Sequence, residues 1–188
     1  MPKYVLIYFL LFSGNIGFSQ NTIIKNNYNK AAIKLNDSAV NVVFKGARSK
    51  ESLALAIRLL DSATTIEKRD PVLYSNKVKY LNYSGRFKEA LKQNEILFKI
   101  SKNLPTVIET RGLILYKLGD KVNAEKNFKI AHQLLEKQYF ENPKVGVLEN
   151  LAFSTYLIMG RDSANDLLNK EKYRYKDDRF KRQLNDFI

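Results

Sequence analysis

PTVIETRGLILYKLGDKVNAEKNFKIAH, residues 105–132, decides the fold. Pro105 suits the first turn of a helix, because it lacks an N–H that would be unpaired there. Leu113, Leu115, Tyr116 and Leu118 follow helical spacing up to Gly119, and glycine tolerates the left-handed conformation that ends a helix. A second helix then carries Ala124, whose single methyl lets two antiparallel backbones approach closely. The same marks recur at a fixed distance. Pro71 and Pro105, Gly85 and Gly119, Ala56, Ala90 and Ala124, and Ala63, Leu97 and Ala131 are each 34 residues apart. A period of this length marks stacked supersecondary units. No stretch shows sustained strand alternation, so the expected class is all-α.

The unit starting at Pro105 holds Gly112, Gly119 and the run Ala124-x3-Phe128-x2-Ala131, which resembles a tetratricopeptide repeat. A unit from Pro71 keeps Tyr74, Gly85, Phe87 and Ala90, with Asn94 where an aromatic is usual. A first unit from about Asp37 keeps Ala56, Leu60 and Ala63, with Glu51 in place of the turn glycine. A fourth lies out of phase by several residues at Leu148, Leu151, Ala152, Tyr156, Gly160, Ala164 and Leu168, its turn near Gly160 one residue short. The resemblance implies an α-solenoid of about 3.5–4 helix-turn-helix units over 35–70, 71–104, 105–142 and 143–176. Residues 177–188 put Phe180, Leu184 and Phe187 on one helical face, as a terminal capping helix would. Asp177 and Asp178 fit the start of that helix, where carboxylates meet free N–H groups.

The N-terminus reads as an address. Met1-Pro2-Lys3 is followed by an apolar run from Tyr4 to Phe12, and Gly17 and Ser19 fit the small-residue positions before a cut at Gln20. Residues 1–19 are therefore expected to be a signal peptide, directing a soluble product to the periplasm or beyond; an uncleaved anchor through Phe18 is the alternative. The apolar run is shorter than the roughly 20 residues a membrane span needs. This ending and the Asn/Lys-rich body resemble exported Bacteroidetes proteins. Residues 20–34 are polar and asparagine-rich with few helix marks, and the sequence leaves their order open.

Several chemistries drop out. With no cysteine there is no disulfide, thiolate metal site or lipid anchor through that residue. His132 is the single histidine, which excludes a multi-histidine zinc motif, and its place in the repeat suits packing. No nucleophile elbow, phosphate loop or dinucleotide fingerprint is present. The expectation is a non-enzyme with no cofactor and no metal. A net charge of +13 would otherwise suggest nucleic acid, but export disfavours that partner. Residues 71–138 carry thirteen Lys/Arg against six Asp/Glu. Lys88, Lys92, Lys99 and Lys102, with Lys121, Lys126 and Lys129, belong to second helices, which the resemblance places on the convex side.

What the resemblance implies about function is a protein or peptide partner held on the first helices, which line a concave groove. Carried onto this chain, the groove positions are Lys45 and Arg48 in unit one and Lys79, Asn82 and Tyr83 in unit two. Unit three supplies Glu109, Leu113, Tyr116 and Lys117, and unit four Glu149, Phe153 and Tyr156. The Lys-x3-Asn and Lys-x3-Arg clamp by which some relatives hold a carboxyl terminus is absent. The expected role is a scaffold of the cell envelope, with a basic module contacting anionic lipid or polysaccharide as the alternative. Neither the partner nor the oligomeric state is written in the sequence.

Overall fold

The computed structural model describes residues 28–101 and 104–171, and among them are eight helices and no strand. The chain divides into two compact units, Met1–Val107 and Ile108–Ile188. The expected signal peptide and the capping segment 177–188, with Asp177 and Asp178, lie outside the described residues. No helix among the described residues is long and apolar enough to cross a membrane.

The first unit holds α1 (Lys30–Lys45), α2 (Lys50–Ile66), α3 (Pro71–Tyr83) and α4 (Phe87–Ile100), each packed on the next. It also includes the first turn of α5 (Pro105–Lys117). Side chains close the helix starts: Asn29 accepts from the Ala31 N–H at 2.9 Å and Asp70 from the Val72 N–H at 2.9 Å. Pro71 stands in the first turn of α3, as expected. Ala56, Ala63 and Ala90 are wholly buried where helices cross. One cluster of Ala32, Ala63 and Leu73 ties α1, α2 and α3 together; another of Tyr74, Leu97 and Val107 ties α3 and α4 to the start of α5. Asn94 also serves this second junction. It is fully buried and its Nδ2 donates to the Val107 carbonyl at 3.2 Å, so an amide does by hydrogen bonding what an aromatic would do by packing.

The second unit continues α5 from Ile108 and adds α6 (Lys121–Glu141), α7 (Val145–Met159) and α8 (Arg161–Glu171). Asp120 caps α6 through the Asn123 N–H at 3.2 Å. Its core is built on Leu135, Tyr139, Leu148, Leu151, Ala152 and Leu168.

Two expected phases shift. The first helix begins at Lys30, not near 35, and ends at Lys45. The turn after it is Gly46–Arg48, not the neighbourhood of Glu51, which lies inside α2. The reason is that α2 starts at Lys50, three residues before the position 34 before Phe87, so the turn moves up by nearly one helical turn while Ala56 keeps its register. In the fourth repeat the displacement comes from α6, which has 21 residues against 14 in α4 and delays the next helix to Val145. The α7–α8 connection is the single residue Gly160, matching the short turn expected there.

Candidate partner-binding face

In α3, Leu73, Tyr74, Val78 and Leu81 are buried, while Val72, Asn76, Lys79 and Tyr83 stay half-buried. Those four recur at i, i+4, i+7 and i+11 and so form one stripe. Asn76 fixes its orientation: its Nδ2 donates to Asn36 Oδ1 of α1 at 2.8 Å, so the stripe lies beside α1. The two lysines of α3 then part company. Lys77, on the other side, pairs with Asp61 of α2 at 2.8 Å. Lys79, on the stripe, has no carboxylate within ion-pair distance among the described residues. Burial holds its ammonium below the usual lysine range, and the Arg48 charge lowers it further.

Arg48 reaches this face from the α1–α2 turn, with its guanidinium carbon 5.0 Å from the centroid of the Tyr83 ring. That is cation–π distance. Its backbone has φ +60°, and Ala47 before it φ +46°, a region that disfavours residues with a Cβ. Gly85 and Gly119 fill the left-handed position in the turns of the next two repeats. Burial pushes the Tyr80 hydroxyl up to about 12; the Tyr83 charge raises it further and the Arg48 charge opposes the rise.

The remaining expected groove positions scatter. Lys45 is the exposed last residue of α1, because unit one is shifted by a turn. Asn82 turns inward and is buried, its Oδ1 without a partner. In the second unit Glu109 is also buried, Oε1 unpartnered, and burial pushes its carboxyl up to about 8. Leu113 is buried, Tyr116 half-buried and Lys117 exposed at the end of α5. On α7, Glu149 is half-buried and raised by desolvation; Phe153 is buried and stacks with half-exposed Tyr156, centroids 6.5 Å apart at 16°. The structure thus brings together Arg48, Lys79 and Tyr83 in one unit and Phe153 with Tyr156 in the other.

Sequence reasoning missed the α1 side of the face. Ile33, Val40 and Phe44 are exposed, Phe44 by 84%, and flank Asn36 on its open side. Their i, i+7, i+11 spacing was the available signal. His132 is buried with Nε2 3.5 Å from Glu136 Oε1. No group of three metal-ligating side chains occurs among the described residues.

No family model matches the chain, and no curated protein matches its sequence. Among solved structures it is similar to the Sgt2 TPR domain from Aspergillus fumigatus, with a TM-score of 0.51 at 15% identity. The match covers 79% of this chain and 85% of that one. The fold is tetratricopeptide-like. At this identity the likeness carries the helix-turn-helix repeat architecture anticipated from the 34-residue period, and nothing of the neighbour's ligands.

Proposed function

We propose that this protein is a non-catalytic scaffold that holds a peptide or protein partner on the open faces of the first helices of its repeats. The observation that carries the reading is the α3 stripe: a half-buried lysine and a neighbouring arginine, framed by tyrosine and apolar side chains, with no carboxylate among the described residues to neutralise them. Such mixed aromatic and cationic anchors supply most of the energy in protein recognition. Export to the cell envelope is part of the proposal and rests on the N-terminal sequence. Using the chain as bait in an envelope extract tests it. A discrete protein should be retained by the wild type and lost when Lys79, Tyr116 and Lys117 are replaced together, with helix content unchanged. Unaltered retention by that variant sinks the reading.

A second reading has one observation of its own. Lys88, Lys92 and Lys99 are all exposed and fall within about 40° of one another around α4, making a basic stripe. On α6, by contrast, Lys129 is paired with Glu125 at 2.7 Å. A module docking through α4 onto anionic lipid or polysaccharide would bind anionic vesicles with an affinity that falls steeply as salt rises. Salt-insensitive binding, or none, counts against it.

A further inference from the structure

Resting on the scaffold reading, we infer that the α1–α3 face of the first unit takes an internal peptide segment whose acidic side chain docks between Arg48 and Lys79 and whose apolar neighbours lie along Ile33, Val40 and Phe44. Three independent features meet there. The first is charge. Lys79 lies on the stripe that ends at Tyr83, over whose ring Arg48 sits, the Arg48 charge disfavours the Lys79 ammonium, and no carboxylate among the described residues stands with them. Asp37, exposed on α1, accepts from Asn36 Nδ2 at 3.5 Å and does not figure among the charges acting on Lys79. An incoming carboxylate would relieve the repulsion and accept charge-assisted hydrogen bonds from both groups.

The second feature is backbone. Ala47 stands where Gly85 and Gly119 stand in the following repeats, and Arg48 after it is left-handed too, at φ +60°, where the corresponding Arg86 and Asp120 have φ −82° and −81°. A glycine would hold the turn with less strain, so the arginine side chain is what the position provides. Strain kept at one residue is the kind of outlier from which a functional role is inferred. The third is the apolar row. Ile33, Val40 and Phe44 are exposed in line on α1, beside the Asn36–Asn76 hydrogen bond that joins it to α3. The cations therefore sit at one end of an apolar track. Arg48 is itself exposed on an open turn, so a chain can run past it. That suits a side-chain carboxylate within a segment better than a chain terminus.

The test is selection of random 12-residue peptides displayed against the full chain. The winners are then synthesised with both ends blocked, so that only side-chain carboxylates remain, and binding is followed by fluorescence anisotropy. The expected winners carry Asp or Glu among apolar residues. Their affinity should fall about tenfold or more on Asp→Asn or Glu→Gln exchange in the peptide, and equally with Arg48→Gly or Lys79→Met in the protein. Both protein variants should keep their melting temperature within about 3 °C of the wild type. Winners without an acid, or ones that bind Arg48→Gly and Lys79→Met as tightly as wild type, overturn the inference and leave the scaffold reading standing. Binding that needs a free peptide carboxyl terminus also overturns it. Failure to select any peptide counts against both.

Discussion

The ring of Phe128 lies against the backbone of Gly112, so close that a Cβ on Gly112 would stand 2.5 Å from Phe128 Cε1. Ala124, wholly buried, offers its carbonyl oxygen 3.1 Å from the same point. The two helices of the third repeat, α5 and α6, meet here with no side chain from α5 between them, and the Phe128 ring of α6 packs directly on the Gly112 backbone. The Ala-x3-Phe spacing thus has a direct steric meaning: the small residue brings the backbones together and the aromatic fills the space one turn on.

Gly112→Ala is therefore expected to destabilise the protein by about 1–3 kcal/mol, because the ring is 3% exposed and the carbonyl belongs to a helix. Denaturant unfolding checks this. Phe128→Leu combined with Gly112→Ala should lose less than the sum of the two single changes, since the smaller side chain makes room for the methyl. Additive losses would mean that the methyl strains the carbonyl contact and not the ring.

Glu109 gives a pH-dependence with a definite sign. Its carboxyl is buried, with Oε1 unpartnered, and pushed up to about 8, so the folded protein holds a proton that the unfolded chain releases near 4.5. Between those values folding takes up the proton, and stability falls as pH rises, by up to about 1.4 kcal/mol per pH unit from this group. Below the lower value the effect vanishes. Glu109→Gln should remove this part of the slope, so the difference between variant and wild type grows from pH 5 to pH 8. Parallel stability curves for the two proteins would show that Glu109 is ionised in the fold.

The period made most of this fold legible, because prolines, turn glycines and crossing alanines are local requirements that repeat wherever the geometry repeats. Pro71, Gly85, Ala90, Pro105, Gly119 and Ala124 all stand where that reasoning put them. The start of the first helix is not legible in the period because a one-turn extension of α2 moves the turn yet preserves the buried face, leaving Ala56 and Ala63 in register. Asn29, a good capping residue just ahead of Lys30, was the unused signal. Site positions fared differently. Whether Asn82 or Glu109 lies open or buried depends on which flank the surrounding packing covers, a tertiary matter that helical spacing within one element does not contain. Lys79 and Tyr83 remained half-exposed because they share the stripe with Asn76, whose bond to Asn36 no sequence pattern announces.

That bond carries its own prediction. Asn36 is buried, so Asn76→Ala leaves its Oδ1 without the donor it has now. The expected loss is about 1–3 kcal/mol, the desolvation cost of an unpaired buried acceptor. Changing both asparagines to leucine should recover part of it, since neither partner is then left unsatisfied. A double-mutant cycle with no coupling would place the stability of the α1–α3 junction elsewhere.

Lys79 should behave in the opposite way from an ordinary structural residue. It is half-buried, the Arg48 charge disfavours its ammonium, and no acid among the described residues offsets either cost. Lys79→Met keeps a long apolar stem over the neighbouring surface and removes both the desolvated ammonium and the like-charge repulsion. Stability at pH 7 should stay level or rise, by on the order of 0.5 kcal/mol for a charge interaction at this degree of exposure. The comparison with Lys77→Met sharpens the test, because Lys77 is bonded to Asp61 at 2.8 Å and its loss should lower stability by a similar small amount. A matched decrease for both lysines would mean that Lys79 is held by the fold in the same way as Lys77. A rise for Lys79 alone marks a cation that the folded chain tolerates without using, as a residue reserved for a partner's carboxylate must be.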